Sequence, residues 1–387
     1  QAIKRSIHLV LYAVFVANIV HILERFPIMS ESHVLYISIS LMLILGTISM
    51  LILKFQHMQL APMSPGAEPK HFDHPWIQAA LMMAGEALCL PVYLLTRSVG
   101  GVKSKQGPPR WVFLVPCCCD LIASGLLCTG LALIPVSVAQ MCRGTVIIFV
   151  CAMSYVFLRR KQSSQQLIGV GLTLLGIALV SLGALFMIGV QARGLQHLFS
   201  GIIICIAAQM FCAGMFVSEE AIMAKYTVEP LQVVAMEGSS GLLLSIFFLL
   251  GLQSCGLANI PGAFHQIRSS PPLLLSIFGS MLTVGVFNLA GATVTQRSSA
   301  VARTTIKIAS TLLIWIAELY FGWNRFSRLQ FDGFMFIALG TITYNSVFIL
   351  PFVRGGEKDA LLLAQKALEE DPATLKPIDK QSLAEAI

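Results

Sequence analysis

Charge is scarce in this sequence. Asp, Glu, Lys and Arg together make up only 12% of its 387 residues, while apolar residues make up 56%. So little charge cannot cover a water-soluble domain of this size, and almost nothing is left over to form one. Catalytic signatures are missing too. There is no H-E-x-x-H metal pair, no G-x-S-x-G nucleophile turn, no C-x-x-C pair and no membrane-embedded Asp pair, which argues against an intramembrane enzyme and implies no cofactor. The ten cysteines stand singly apart from Cys117, Cys118 and Cys119, and they read as buried free thiols. His71, Asp73 and His74 have a metal-like composition, but on a short loop before Pro75 they fit a helix start or a pH response better. The formal charge of +7 is not gathered into a basic, aromatic-laced patch, so nucleic acid is not an expected partner.

What the sequence does contain is apolar runs long enough to cross a bilayer of about 30 Å as helix. Ten of them recur, at 34–53, 76–95, 111–133, 136–158, 166–190, 199–218, 231–252, 272–294, 299–321 and 332–353. The reading is an all-α integral membrane protein, whose work is done in or across the bilayer and in contact with its lipid. Residues 1–33 form an N-terminal extension in which the short apolar segment Ile7–Leu23 is a candidate extra helix or signal anchor.

Positive charge sets the orientation. Arg97, Lys103, Lys105 and Arg110 follow the second span, and Arg159, Arg160 and Lys161 follow the fourth, whereas the early loops on the other side carry only Lys54 and Lys70. The even-numbered loops and the tail, residues 354–387, are therefore expected in the cytosol.

A shift of 164 residues lays 157–176 over 321–340, matching Gly169 with Gly333 and Gly176 with Gly340, and it brings Arg143 onto Lys307. Two halves separated by five helices must run in opposite senses. The expected domains are two inverted five-helix repeats, 34–190 and 199–353.

Ionisable residues inside the spans mark a polar interior. A charge at the bilayer centre costs about 2.5–3.5 kcal/mol on insertion scales, so such residues face a cavity or a partner. Arg143 and Lys307 each lie about 10 Å from the start of their helices, on either side of the midplane. Glu86, Asp120 and Glu237 are the candidate acids. Gln140 shares a helical face with Arg143, Ser124 with Asp120, and Arg303 with Lys307, while Asn288 adds an amide. Glu318 and Asp332 fall nearer the helix ends, where water is expected to solvate them. Gly169, Gly171, Thr173 and Gly176 read as a close-packing seam.

The segments "FDHPWIQAALMMAGE" (72–86), "CDLIASGLLCTGLALIPVSVAQMCRGTVIIF" (119–149), "AAQMFCAGMFVSEEAIMAKYTVEPLQVVAMEG" (207–238), "FNLAGATVTQRSSAVAR" (287–303) and "LGTITYN" (339–345) resemble solute carrier family 35, subfamily F, of the member-6 type, in the drug/metabolite transporter superfamily. The chain is similar also to chloroquine-resistance-type transporters. The resemblance runs from about Leu41 to Phe352 and implies ten helices in two inverted repeats, with alternating access at a central cavity. By position it points to Glu86, Asp120, Gln140, Arg143, Gln209, Glu219, Glu220, Glu237, Asn288 and Arg303. Lys307 departs from the pattern, since related sequences can carry an acid there, and residues 1–33 have no counterpart.

The substrate-binding set is thus expected to be Glu86, Asp120, Gln140, Arg143, Gln209, Glu237, Asn288, Arg303 and Lys307. Its acids suit proton-coupled export of a small zwitterionic or cationic solute such as an amino acid, peptide or thiol. Its cations suit the alternative, exchange of a nucleotide sugar for a nucleotide. A receptor or scaffold would need a larger soluble region than the tail provides. That tail has helical apolar spacing from Ala360 to Leu368, and Glu357, Leu361 and Leu362 form an acidic dileucine pattern of the kind a sorting adaptor reads. An endolysosomal or vacuolar membrane is expected, ahead of Golgi or mitochondrion.

Overall fold

The computed structural model of the chain describes residues 31–99, 109–134, 139, 142–159, 162–188, 195–226, 228–256, 258–322 and 327–344. The candidate helix Ile7–Leu23, Gln140 and the tail lie outside these residues. Almost everything described is helix: α1 (Glu31–Met58), α2 (Pro75–Ala87), α3 (Cys89–Val99), α4 (Leu114–Leu133), α5 (Val146–Phe157), α6 (Ser164–Ile188), α7 (Leu195–Tyr226), α8 (Pro230–Ser254), α9 (Ile260–Ser269), α10 (Pro271–Arg297), α11 (Ala300–Tyr320) and α12 (Arg328–Tyr344). Between α1 and α2 lies a two-stranded antiparallel hairpin, β1 (Leu60–Pro62) and β2 (Pro69–His71), with Leu60 opposite His71.

Among the described residues seven helices are long and apolar enough to cross a membrane, and Cys142–Phe157 and Ser164–Val180 are shorter apolar helices. The expected span 76–95 is broken at Leu88 into α2 and α3, and a turn at Thr145 separates helical residues 142–144 from α5. Proline marks several starts, at Pro75, Pro230 and Pro271, where its missing N–H would have had no helical partner. Asn259 and Ser299 cap α9 and α11 by accepting from the amides of Gly262 and Ala302. The chain leaves α8 through Gly256 at φ 71°, a left-handed turn that glycine adopts without strain.

The molecule carries large apolar groups outward and polar groups inward. Phe247, Leu250, Leu275 and Tyr155 are exposed, while Glu86, Gln209, Glu219, Glu237, Arg303 and Thr304 are buried. In hydrocarbon this arrangement sets large apolar side chains against lipid and leaves the interior to polar partners.

Helix packing follows a reciprocal pattern. α1 packs on α10 and α11, and α7 packs on α4 and α5; α2 meets α8, α5 meets α11, and α6 meets α12. The α6–α12 seam is made by glycines. A Cβ on Gly169 would strike the backbone of Gly340 and Tyr344, and one on Gly176 would strike the backbone of Gly333. Thr173 joins the seam against Gly340, as expected, whereas Gly171 faces open space.

The hairpin and α9 form a cap at the end of the bundle where α1 finishes, here termed the hairpin face. Phe72, Ile77, Ala263, Ile267, Leu273 and Ile277 make its apolar centre. Gln266 Nε2 donates to the carbonyls of Ala61 (2.8 Å) and Lys70 (3.2 Å), and His74 Nε2 donates to Gln266 Oε1 at 3.0 Å. The short loop expected before Pro75 carries a hairpin instead, and α9 is too short and too polar to register as a span.

Candidate functional site

One cavity lies between α1, α2, α4, the turn before α5, α7, α10 and α11. Its wall includes Glu86, Asp120, Arg143, Gln209, Asn288 and Lys307, so six of the nine expected site residues share a single space. Each arrives there by helical periodicity. Gln209, Cys212 and Phe216 fall on one face of α7, and Asp120 and Ser124 on one face of α4. Arg143 is placed by the turn ahead of α5, where Thr145 Oγ1 donates to the carbonyl of Cys142 at 2.6 Å.

Glu237 and Arg303 stand behind this wall. Arg303 is wholly buried and forms an ion pair with Glu219 through Nη1, while its Nη2 donates to Asn288 Oδ1 at 3.2 Å. Asn288 Nδ2 in turn donates to Glu86 Oε1 at 2.5 Å. A chain Glu219–Arg303–Asn288–Glu86 thus links the second half of the molecule to the cavity acid of the first. Arg303 also lies 4.2 Å over the ring of Phe216, a cation–π contact worth about 2 kcal/mol when desolvated. It can lie so deep because Gly291 offers no side chain: a Cβ there would collide with the guanidinium. Glu220, the neighbour of Glu219, accepts from the amide of Ala300 at 2.9 Å and so holds the start of α11.

Two charged side chains of the cavity wall each keep a buried atom without a partner, as do Glu237 Oε1 and Arg303 Nε behind it. Asp120 Oδ1 accepts from Ser124 at 3.4 Å, but Asp120 Oδ2 is buried without a hydrogen-bond partner. Arg143 Nη1 is likewise buried and unpartnered. Lys307 Nζ donates to Cys212 Sγ at 3.1 Å and sits 4.8 Å from the ring of Phe216. An unsatisfied buried polar atom costs about 1–3 kcal/mol, more when charged.

At the hairpin face, Gln56 Nε2 donates to Ser280 Oγ (3.3 Å) and Gln78 Nε2 to Gln56 Oε1 (3.2 Å). Lys54 pairs with Glu318 at 3.0 Å, with side chains 17% and 2% exposed. Here the structure corrects the sequence reading: Glu318 is not solvated at a helix end and Lys54 is not a loop charge, because each neutralises the other between α1 and α11. Asp332 is exposed, as expected. Outside the spans, burial holds the His74 imidazole below the usual histidine range, against the opposing effects of Gln266 and Asp73. Among the described residues no group of His, Cys, Asp and Glu could hold a metal ion. Gln56, Gln78, Ser280 and Cys212 were missed in the sequence because single amides, hydroxyls and thiols are common inside apolar spans, and only three-dimensional convergence distinguishes them.

A polar cavity enclosed by apolar, membrane-length helices defines a multi-pass membrane transporter. Comparison with known proteins agrees. Residues 62–182 match the EamA-like transporter family. Solute carrier family 35 member F6 from Homo sapiens is 31% identical over 324 residues, covering 79% of this chain and 87% of that protein, and its counterpart in Mus musculus is 30% identical over the same shares. An uncharacterized protein of Schizosaccharomyces pombe is 30% identical over 71% of this chain and 88% of its own length. One solved crystal structure has a similar fold, with a TM-score of 0.55 at 17% identity over 81% of this chain and 98% of that one. The chain belongs to the solute carrier family 35 member F6 family, within the drug/metabolite transporter superfamily.

Proposed function

We propose that this protein is a secondary-active transporter of an endomembrane that moves a small zwitterionic or cationic solute, such as an amino acid, peptide or thiol, through the central cavity by alternating access and exports it with proton coupling. One observation carries the reading: Asp120 and Arg143, side chains of opposite charge, line the same cavity, and each keeps one buried atom, Oδ2 and Nη1, without a hydrogen-bond partner. An ammonium and a carboxylate on one solute supply both. A nucleotide sugar would bring only negative charge toward Glu86 and Asp120, and of the three cations that would favour it Arg303 is already committed to Glu219.

Alternating access is supported by the reciprocal packing. α1 on α10 and α11 mirrors α7 on α4 and α5, and Gly169 against Gly340 mirrors Gly176 against Gly333. These are the contacts that two inverted five-helix repeats make about a pseudo-two-fold axis. Proton coupling is supported by Glu86, which lines the cavity and is bonded to a neutral amide rather than to a cation. Taking up a proton removes the cost of a buried carboxylate. The sequence pattern Glu357, Leu361 and Leu362, with the family, favours an endolysosomal or vacuolar membrane over Golgi or mitochondrion. We read the chain as a carrier rather than an enzyme, receptor or scaffold.

Uptake into proteoliposomes, with and without a pH gradient, across amino acids, small peptides, thiols and nucleotide sugars tests this. Gradient-driven uptake of a zwitterion or cation is expected; gradient-independent exchange of nucleotide sugars would overturn it.

A further inference from the structure

The cavity has two ends, and they are closed by different chemistry. Its wall follows one face of α1 through Gly46, Ser49, Met50, Leu53 and Gln56, about 15 Å of helix, and finishes beside Gln78 and Ser280 at the hairpin face. Away from the hairpin, the Arg303–Glu219 ion pair and the bond from Asn288 to Glu86 close the interior, and all four side chains are buried. We propose that Gln56, Gln78 and Ser280, with the Lys54–Glu318 pair beside them, form the gate through which solute passes between the cavity and the hairpin face. The proposal rests on the reading of the cavity as a transport path.

Gln56 is the hub of this gate. Its Nε2 donates to Ser280 Oγ on α10 at 3.3 Å, and its Oε1 accepts from Gln78 Nε2 on α2 at 3.2 Å. Both bonds lie at the long end of the N–H···O range, and neither carries a charge. A neutral hydrogen bond contributes little net stability where water can replace the partner. Lys54, half a turn earlier on α1, reaches Glu318 on α11 at 3.0 Å with its own side chain 17% exposed, so water screens that pair as the helices part. All of these ties start from the last two turns of α1. One outward movement of that helix end releases them together.

The opposite end has the reverse character. Arg303 and Glu219 are charged and dry, with side chains 0% and 1% exposed, and parting them leaves each charge uncompensated in the interior. There, Glu86 on α2 and Glu219 on α7 are tied to Asn288 on α10 and Arg303 on α11. At the hairpin face the same α10 and α11 are tied to α1, through Ser280 and Glu318. Opening the hairpin end therefore breaks two neutral bonds and one partly wet ion pair, whereas opening the other breaks a fully buried one. From the arrangement in the structure, the hairpin end opens first.

The test uses the full-length protein in lipid nanodiscs with Ser49→Cys as reporter, a position on the cavity wall deeper than the gate. The probe is the charged reagent sulfonatoethyl methanethiosulfonate, which reaches that position only through water. Peptide mass spectrometry follows modification there and at Cys89, which is fully buried in an apolar cluster and does not line the cavity. Ser280→Ala and Gln56→Ala are each expected to speed modification of the reporter roughly three- to tenfold, with the rate at Cys89 unchanged. Glu318→Gln is expected to act likewise, and the exchanged pair Lys54→Glu with Glu318→Lys to return the slow rate. Equal reporter rates with and without the gate substitutions would overturn the inference. So would a matching rise at Cys89, because the bonds would then hold the fold rather than an entrance. No solute takes part in this measurement, so failure of the transport reading shows in uptake and failure of the gate shows here.

Discussion

Arg303 and Glu219 meet as an ion pair with side chains 0% and 1% exposed, and the pair closes the polar interior at the end of the bundle away from the hairpin. Removing one partner leaves the other charged and alone. Arg303→Gln is therefore expected to lower stability by about 3–5 kcal/mol, read as a fall in the melting temperature of the purified protein. Gly291→Ala, which pushes a methyl into the guanidinium, is expected to cost about 1–3 kcal/mol.

Lys54 and Glu318 do the corresponding work at the hairpin face. Glu318→Gln is expected to destabilise the protein, and the exchanged pair Lys54→Glu with Glu318→Lys to recover a large part of the loss. Absence of recovery in a double-mutant cycle would show that the two side chains act separately.

The α6–α12 seam depends on glycine. Gly176→Leu places a side chain where the Gly333 backbone lies and is expected to separate the two helices and reduce folded yield in the membrane, whereas Gly171→Leu, which faces open space, is expected to be tolerated. Size-exclusion profiles of the two variants make the comparison.

His74 gives the cap a pH dependence. Its value in the folded protein lies below the usual one because burial disfavours the imidazolium. The unfolded chain therefore takes up a proton first as pH falls below about 6.5. The stabilisation from His74 is complete above that pH and is lost as pH drops through the folded value. Thermal melts between pH 7.5 and 5 should fall more steeply for the wild type than for His74→Asn.

Much of this was legible in the sequence. Hydrocarbon solvent makes apolar length a direct report of helix position, so α1, α4, α7, α8, α10 and α11 fall where the runs placed them. The cost of intramembrane charge likewise singled out Glu86, Asp120, Arg143 and Lys307, and these converge on one cavity. The partners were not legible. That Arg303 turns back to Glu219 rather than into the cavity depends on Gly291, twelve residues earlier, having no side chain. The cap escaped notice because Gln266 becomes structural only once Ala61 and Lys70 present their carbonyls to it.

The most direct test of the transport cavity is solute uptake by Arg143→Gln beside the wild type, each reconstituted at equal density. Arg143 lines the cavity and its Nη1 has no hydrogen-bond partner, so the variant is expected to insert and melt normally yet show no uptake above empty liposomes. Uptake at the wild-type rate would make Arg143 structural and contradict the assignment of the cavity as the transport path.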